Sequence, residues 1–223
     1  MPYRKVVFSN HEIYHIFNRG INRQPIFFVK RDYVRNLQTL EYYSSPPSNL
    51  RFSKFKLLSL EQKANLLSLK ANLKNVNILC YCLMPNHFHL LIQQSQDNGI
   101  TQLMRKYQSS YTKYLNNKYD RDGPILRGRF KAVRIETDEQ LIHVSRYIHL
   151  NPYTSLEIKN LDELLLYPWS SFKEYMNPRL NSFIQKDLIL AFFASNPEKY
   201  ISFILNQAEY QRKLESIKHL VLE

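Results

Sequence analysis

Cysteine is scarce in this 223-residue chain: Cys80 and Cys82 are the only two. Their spacing is too close for a disulfide framework and predicts a protein of a reducing compartment, the cytoplasm. Long apolar runs are missing as well. The longest, Ile78 to Met84, falls far short of the roughly 20 residues of a membrane-crossing helix. Met1-Pro2-Tyr3-Arg4-Lys5 leads into no signal-like apolar stretch. No internal repeat or low-complexity tract occurs. Negative charge is also in short supply, with 19 Asp and Glu against 31 Lys and Arg and a net charge of +12. That excess favours a polyanionic partner, nucleic acid before an acidic membrane surface, over a basic surface that only aids solubility.

What the chain does have is an ordinary core and many aromatic rings. Hydrophobic residues at 44% and charged residues at 22% make a folding composition. The length suits one main domain with an appendage. Sixteen tyrosines and thirteen phenylalanines, interleaved with Lys and Arg, suit a surface on which unpaired bases stack. Duplex DNA needs no such platform.

Periodicity predicts the elements. Glu12 to Phe17 reads as a strand with Ile13, His15 and Phe17 on one face, ended by Asn18-Arg19-Gly20. Helical spacing follows over 30–43, then a Ser/Pro loop and a Lys-rich amphipathic helix over 58–73. Val76–Leu83 and His87–Gln93 form a hairpin around Met84-Pro85-Asn86. A long helix follows from Ile100, with Tyr107, Tyr111 and Tyr114 on its apolar stripe. A strand over 129–136 comes next, and then a helix that Thr137 and Gln140 would start as a capping box. Pro152 would end that helix near Asn151. The order strand, helix, strand, strand, helix, strand, helix predicts an α+β protein: a ferredoxin-like antiparallel sheet with packed helices. The expected divisions are a domain over 1–176, with a helical insertion at about 44–75, and a separate helical extension over 177–223.

Two residue patterns carry chemistry. Side chains alternate along a strand, so His87, His89 and Leu91 share one face. The two imidazoles read either as strand histidines with ordinary hydrogen bonds or as a pair converging on one ion. A Cys2His2 zinc site from Cys80, Cys82, His87 and His89 is a third reading, but the cysteines also fit core packing beside Ile78. Among the tyrosines, Tyr147 lies beside its helix's apolar stripe of Leu141, Val144, Ser145 and Ile148. It shares a row with Gln140, His143 and Asn151, polar company that suits either a site or a boundary tyrosine in water.

At these residues the chain resembles the REP-associated tyrosine transposases and the single-tyrosine insertion-sequence transposases of the HUH superfamily of single-strand DNA endonucleases. The resemblance is carried by Tyr14-His15-Ile16-Phe17-Asn18-Arg19-Gly20 with Ile26-Phe27, and by Tyr81 to Leu91 around Pro85-Asn86-His87-Phe88-His89. It continues through Gly128-Arg129-Phe130 and Tyr147-Ile148-His149-Leu150-Asn151-Pro152 to Trp169-Ser170-Ser171. It implies the ferredoxin-like fold, a divalent ion on His87 and His89 completed by Asn151, and Tyr147 as nucleophile. The longer segment at 44–75 departs from the family's compact pattern, and the tail from Asn177 is not covered.

The mechanism expected from this resemblance is attack by Tyr147 on a phosphodiester. It would give a covalent 5′-phosphotyrosine that a 3′-hydroxyl can reverse, which is transposase chemistry. Two imidazoles and an amide leave positions open for phosphate oxygens and water, suiting Mg2+ or Mn2+. His143 or His149 would serve in proton transfer. Arg19, Arg23, Arg105, Arg127, Arg129, Lys131 and Arg134, with Lys106 and Lys113, would hold the phosphates of single-stranded DNA, of the hairpin-forming kind the family typically recognises. A membrane partner is not expected, and monomer and homodimer stay equally open. Two other classes compete: a DNA-binding regulator on the same fold without cleavage, and a metal-dependent RNA-binding or nuclease module.

Overall fold

The structure, a computed structural model, describes residues 6–45, 50–68, 74–177, 180 and 183–221, with the backbone alone over 215–221. The predicted loop at 44–48 and the end of the helix predicted over 58–73 fall partly outside these residues.

Alternating burial builds the first strand, β1 (Ile13–Arg19), where Tyr14, Ile16 and Asn18 are buried and the residues between them less so. It runs two residues further than predicted. Gly20 then turns the chain away, because a Cβ there would lie 2.1 Å from the Gln24 carbonyl oxygen. After α1 (Lys30–Ser44), α2 (Phe52–Phe55) and α3 (Leu60–Ser68), the hairpin β2 (Val76–Met84) and β3 (His87–Gln94) forms as predicted. Next come α4 (Gly99–Tyr119), β4 (Lys131–Ile135) and α5 (Asp138–Thr154). The strands make one antiparallel sheet in the order β2-β3-β1-β4, the ferredoxin-like arrangement the sequence predicted.

Both edges of the sheet are managed. Trp169 to Ser171 cover β2, with the Leu83 amide donating to the Trp169 carbonyl at 2.8 Å. The β4 edge stays open and carries exposed Lys131 and Arg134, charges that discourage pairing with another strand. Inside β2 the register shifts between Ile78 and Cys80, so Ile78 pairs with Ile92 while Cys80 pairs with Leu91. This bulge corrects the prediction that Ile78 and Cys80 share a face. Both cysteines are free and fully buried, and burial pushes both thiols above their ordinary range.

Helices α1 and α4 pack side by side on one face of the sheet. Phe88 meets Tyr107 edge-on there at 5.6 Å. Tyr107 and Tyr111 are core, as predicted, and donate to Asn36 Oδ1 and the Ile26 carbonyl, each at 2.7 Å. Tyr114 is half-buried and donates to Asp32. That buried carboxylate sits at the start of α1 and also binds Lys118 at 2.5 Å, tying the helix to the end of α4.

Helix α5 lies on the other face. It passes through Pro152 to Thr154 and does not stop at Asn151 as predicted. Proline removes one N–H donor, and the Ser155 amide closes the helix on the Asn151 carbonyl at 3.0 Å. Beyond α6 (Leu161–Leu166) and α7 (Phe172–Met176), the helices α8 (Asp187–Leu190), α9 (Pro197–Leu205) and α10 (Ala208–Val221) form the predicted helical tail. It does not stand apart. Tyr200 is fully buried and donates to Ser145 Oγ of α5 at 3.1 Å, and the Arg146 guanidinium covers the Phe203 ring at 4.3 Å. Among the described residues no helix is long and apolar enough to cross a membrane.

Candidate active site

Strand pairing sets Phe17 beside His89, Arg19 beside His87 and His15 beside Leu91. The side chains at these positions point to the face that α5 covers, so three imidazoles gather under one helix. His15 Nε2 lies 2.9 Å from His89 Nδ1. The rings of His87 and His89 sit perpendicular, 5.1 Å between centroids. Burial holds the His15 and His87 imidazoles down to pKa values of about 4, and Arg19 adds repulsion at His87. His89 is pushed well below its ordinary value by burial first, then by His87, His15 and Arg19. All three are neutral near pH 7.

The direction of α5 is fixed at its start. Thr137 Oγ1 accepts from the Gln140 amide at 3.2 Å, and Gln140 Oε1 accepts from the Glu136 amide at 2.9 Å, close to the predicted capping box. Ten residues into the helix, half-buried Tyr147 meets His89 edge-on at 5.4 Å and His15 at 6.0 Å. One turn further, Asn151 Oδ1 lies 3.1 Å from His87 Nε2. Tyr147, His87, His89 and Asn151 therefore come together, the set that the family resemblance implies.

The hydrogen bonds of His87 decide whether a cation fits. Asn86 Nδ2 donates to the Arg23 carbonyl at 3.1 Å, which turns Asn86 Oδ1 to the His87 ring. His87 Nδ1 then donates to that oxygen at 2.6 Å, so its single proton is on Nδ1. Nε2 presents a lone pair to Asn151 Oδ1, which is itself an acceptor and takes a bond from Ser155 Oγ at 3.4 Å. Two acceptors facing each other repel unless positive charge lies between them. The pair thus suits a shared cation, with His89 Nε2 as a further donor when His89 Nδ1 donates to His15. Among the described residues no group of three His, Cys, Asp or Glu is placed to hold a metal, the Cys2His2 set of the sequence reading included.

Sequence reasoning missed two partners. His15 was visible only as an alternating residue, because its neighbour on β3 depends on strand order. Asn86 read as a turn residue, although its side chain fixes the His87 proton.

The expected proton carriers fare differently, and His149 is a correction. It is fully buried, with Nδ1 2.8 Å from Tyr200 Oη and Nε2 2.9 Å from Ser171 Oγ, so both nitrogens are occupied in the core behind α5. His143 is exposed, and its Nδ1 accepts from Arg146 at 2.6 Å.

The basic residues fall into two sets. Arg19, Arg23, Arg127, Arg129 and Lys131 are all exposed. Lys131 lies on the open β4 strand, and the Arg127 amide before it donates to the carbonyl of Arg19, at the end of β1, at 2.8 Å. The Arg23 carbonyl accepts from Asn86 of the hairpin turn. Arg134, further along β4, pairs with Glu12 at 2.8 Å. Arg105, on α4, lies across the sheet from Tyr147.

The sequence model of the family described as IS200-like transposase matches residues 50–151, a span that holds His87, His89, Tyr147 and Asn151 and begins after β1. No curated protein matches the chain in sequence. A solved structure, described as a REP-associated tyrosine transposase bound to a REP hairpin, superposes with a TM-score of 0.54 at 14% identity, covering 82% of this chain and 90% of that one. By sequence over residues 50–151, and by fold over most of its length, this chain is similar to the IS200-like tyrosine transposases.

Proposed function

We propose that the chain is a transposase-type enzyme that cuts and rejoins single-stranded DNA through Tyr147. One observation carries the reading: Tyr147 stands edge-on over His89 at 5.4 Å, while Asn151, one turn along the same helix, meets His87. A boundary tyrosine in water needs no such company.

The open β4 edge and the adjoining end of β1 guide the strand. Arg19, Arg23, Arg127, Arg129 and Lys131 hold phosphates there, and Phe17, stacked on His89 at 5.7 Å, walls the site with an apolar ring. Tyr147 Oη forms a bond to phosphorus as the P–O3′ bond breaks. The phenolic proton passes to water, and the departing 3′ oxygen takes one up. The product is a 5′-phosphotyrosine and a free 3′-hydroxyl. Attack by a 3′-hydroxyl on that phosphotyrosine restores a phosphodiester without ATP, which makes the protein a strand transferase and not merely a nuclease. His87, His89 and Asn151 would hold a divalent cation, Mg2+ or, favoured by the nitrogen donors, Mn2+, and such an ion supplies positive charge to the phosphoryl oxygens. The neutral imidazoles keep their lone pairs available for that role. Hairpin-forming strands are the first substrates to test, given the hairpin held by the similar structure.

The test incubates the protein with labelled single-stranded hairpins and Mn2+ or Mg2+ and looks for a denaturation-resistant protein–DNA adduct. Tyr147→Phe should bind DNA and form none. Binding without any adduct in the unaltered protein would favour a regulator, and cleavage without an adduct a metal-dependent nuclease.

A further inference from the structure

His15 stands beside the ligand set without belonging to it. Among the described residues no three imidazoles are placed to share one ion, His15 with His87 and His89 included. Its Nε2 lies 2.9 Å from His89 Nδ1. The two ring centroids are 5.1 Å apart, almost that distance plus the two ring radii, and the ring planes differ by 25°. The contact therefore runs radially out of both rings, along the N–H of one and the lone pair of the other. It is a directed hydrogen bond and not a stack. Phe17 at 5.0 Å and Tyr147 at 6.0 Å flank the His15 ring and keep it pointing that way.

His15 is to His89 what Asn86 is to His87, with one difference. The amide oxygen of Asn86 only accepts, so the His87 proton has a single place, whereas a neutral imidazole can donate or accept. Two arrangements are open, each with one proton per ring. In the first, His89 Nδ1–H donates to His15 Nε2, His15 carries its own proton on Nδ1, and His89 Nε2 keeps its lone pair. In the second, His15 Nε2–H donates to His89 Nδ1, and the His89 proton sits on Nε2, where it blocks coordination. Passing from second to first moves a proton across the shared bond, while water takes one from His89 Nε2 and returns one to His15 Nδ1. The charge does not change.

Burial separates the two arrangements. His15 is half-buried, whereas His89 is 6% exposed, and among the described residues no acceptor is hydrogen-bonded to His89 Nε2. A proton there would be a buried donor without an acceptor, which is costly. A proton on His15 Nδ1 sits on the ring nearer to water.

We propose that His15 is a positioning residue for the metal site: it accepts the proton on His89 Nδ1 and so keeps the His89 Nε2 lone pair free for a divalent cation. The nitrogen that the neighbour engages decides which one is left to bind. The inference rests on the reading that His87, His89 and Asn151 hold such an ion, and it does not depend on the Tyr147 chemistry. Any fraction of the protein in the second arrangement lowers the affinity of the site in proportion.

The test reads the proton directly. Long-range proton–nitrogen NMR correlations of the metal-free protein, labelled on histidine, report which nitrogen of each ring is protonated, and both His15 and His89 should carry Nδ1–H. His15→Phe keeps a flat ring but offers no acceptor. In that variant His89 should shift towards Nε2–H, and Mn2+ affinity, measured by calorimetry, should fall about tenfold. His15→Gln places an amide oxygen within reach and should recover most of that loss, a rescue that packing alone would not give. Metal-free protein with His89 protonated on Nε2 overturns the proposal, and this measurement needs no variant to fold. So does folded His15→Phe that binds Mn2+ as tightly as the unaltered chain, or an equal loss in His15→Phe and His15→Gln. An unaltered protein that takes up neither Mn2+ nor Mg2+ sinks the metal reading and this inference with it, whereas Mn2+ binding indifferent to His15 sinks the inference alone.

Discussion

His87 and His149 are both buried histidines, and burial lowers both, to about 4 and about 3. What separates them is the chemistry of their neighbours. His149 lies between two hydroxyls, Tyr200 Oη and Ser171 Oγ, each able to donate or accept, so one ring proton satisfies the whole arrangement. His87 lies between two amide oxygens that only accept. One proton satisfies the Asn86 side and leaves a lone pair facing an oxygen on the other. Burial marks a histidine as unusual, while an unmet lone pair is what marks it as a ligand site. The first observation would have chosen both residues, and the second chooses His87.

The sharpest way to break this contrast is to truncate each residue. His87→Ala should lower metal-dependent adduct formation on the order of 10³-fold, with little change in thermal midpoint. His149→Ala should do the reverse. It opens a cavity and strands two buried hydroxyls, costing about 3 kcal/mol in urea denaturation. The protein that remains folded should form adduct at roughly the normal rate. If His149→Ala abolishes the adduct in protein shown to be folded, the two residues do not differ as described.

Acid should act on the two alike, since burial is the leading cause for both. Each folded-state pKa lies below the unfolded value of 6.5, so the unfolded chain binds protons first as pH falls. The stability these residues contribute is therefore complete well above pH 6.5 and lost on the way down to about 4 for His87 and about 3 for His149. Between pH 6.5 and 5 the loss is about 2 kcal/mol per histidine. Urea midpoints across that range should flatten when either residue is replaced by Gln. A slope as steep in both variants as in the unaltered protein would place the acid sensitivity in His15 and other groups.

Much of this was legible in the sequence, for reasons that individual residues make clear. Alternation exposed β1 through its burial and β3, though buried on both faces, through its alternating histidines and apolar residues. It failed in β2, where burial on both faces leaves a continuous apolar run, and the bulge at Leu79 could not be seen. Tyr147 and Asn151 were legible as a pair because four residues on a helix make neighbours without any tertiary information. His15 was not, because it meets His89 only through the strand order β3-β1. Pro152 misled because losing one donor does not end a helix whose last turn is closed from Ser155. In the tail, Tyr200 and Ile204 share a helical stripe, yet nothing local says that the stripe seats on Ser145 and His149.

The smallest effect tests the contrast at its origin, the placement of one proton. Asn86 is anchored by its own bond to the Arg23 carbonyl and fixes the proton of His87 on Nδ1. Asn86→Ala removes that acceptor and lets the proton move to Nε2, where it would donate to Asn151 Oδ1 and end the repulsion that makes the site receptive. Mn2+ affinity, read by calorimetry or by the loss of the free-ion EPR signal, should fall about tenfold, as for other partners of metal-bound histidines. Asn86→Asp keeps an acceptor in place and should hold the affinity. Ser171→Ala is the matching change at His149: it should cost about 1 kcal/mol of stability and leave Mn2+ binding untouched. If Asn86→Ala binds Mn2+ as well as the unaltered protein, His87 owes its receptive lone pair to something other than its neighbours, and the distinction drawn between the two histidines fails.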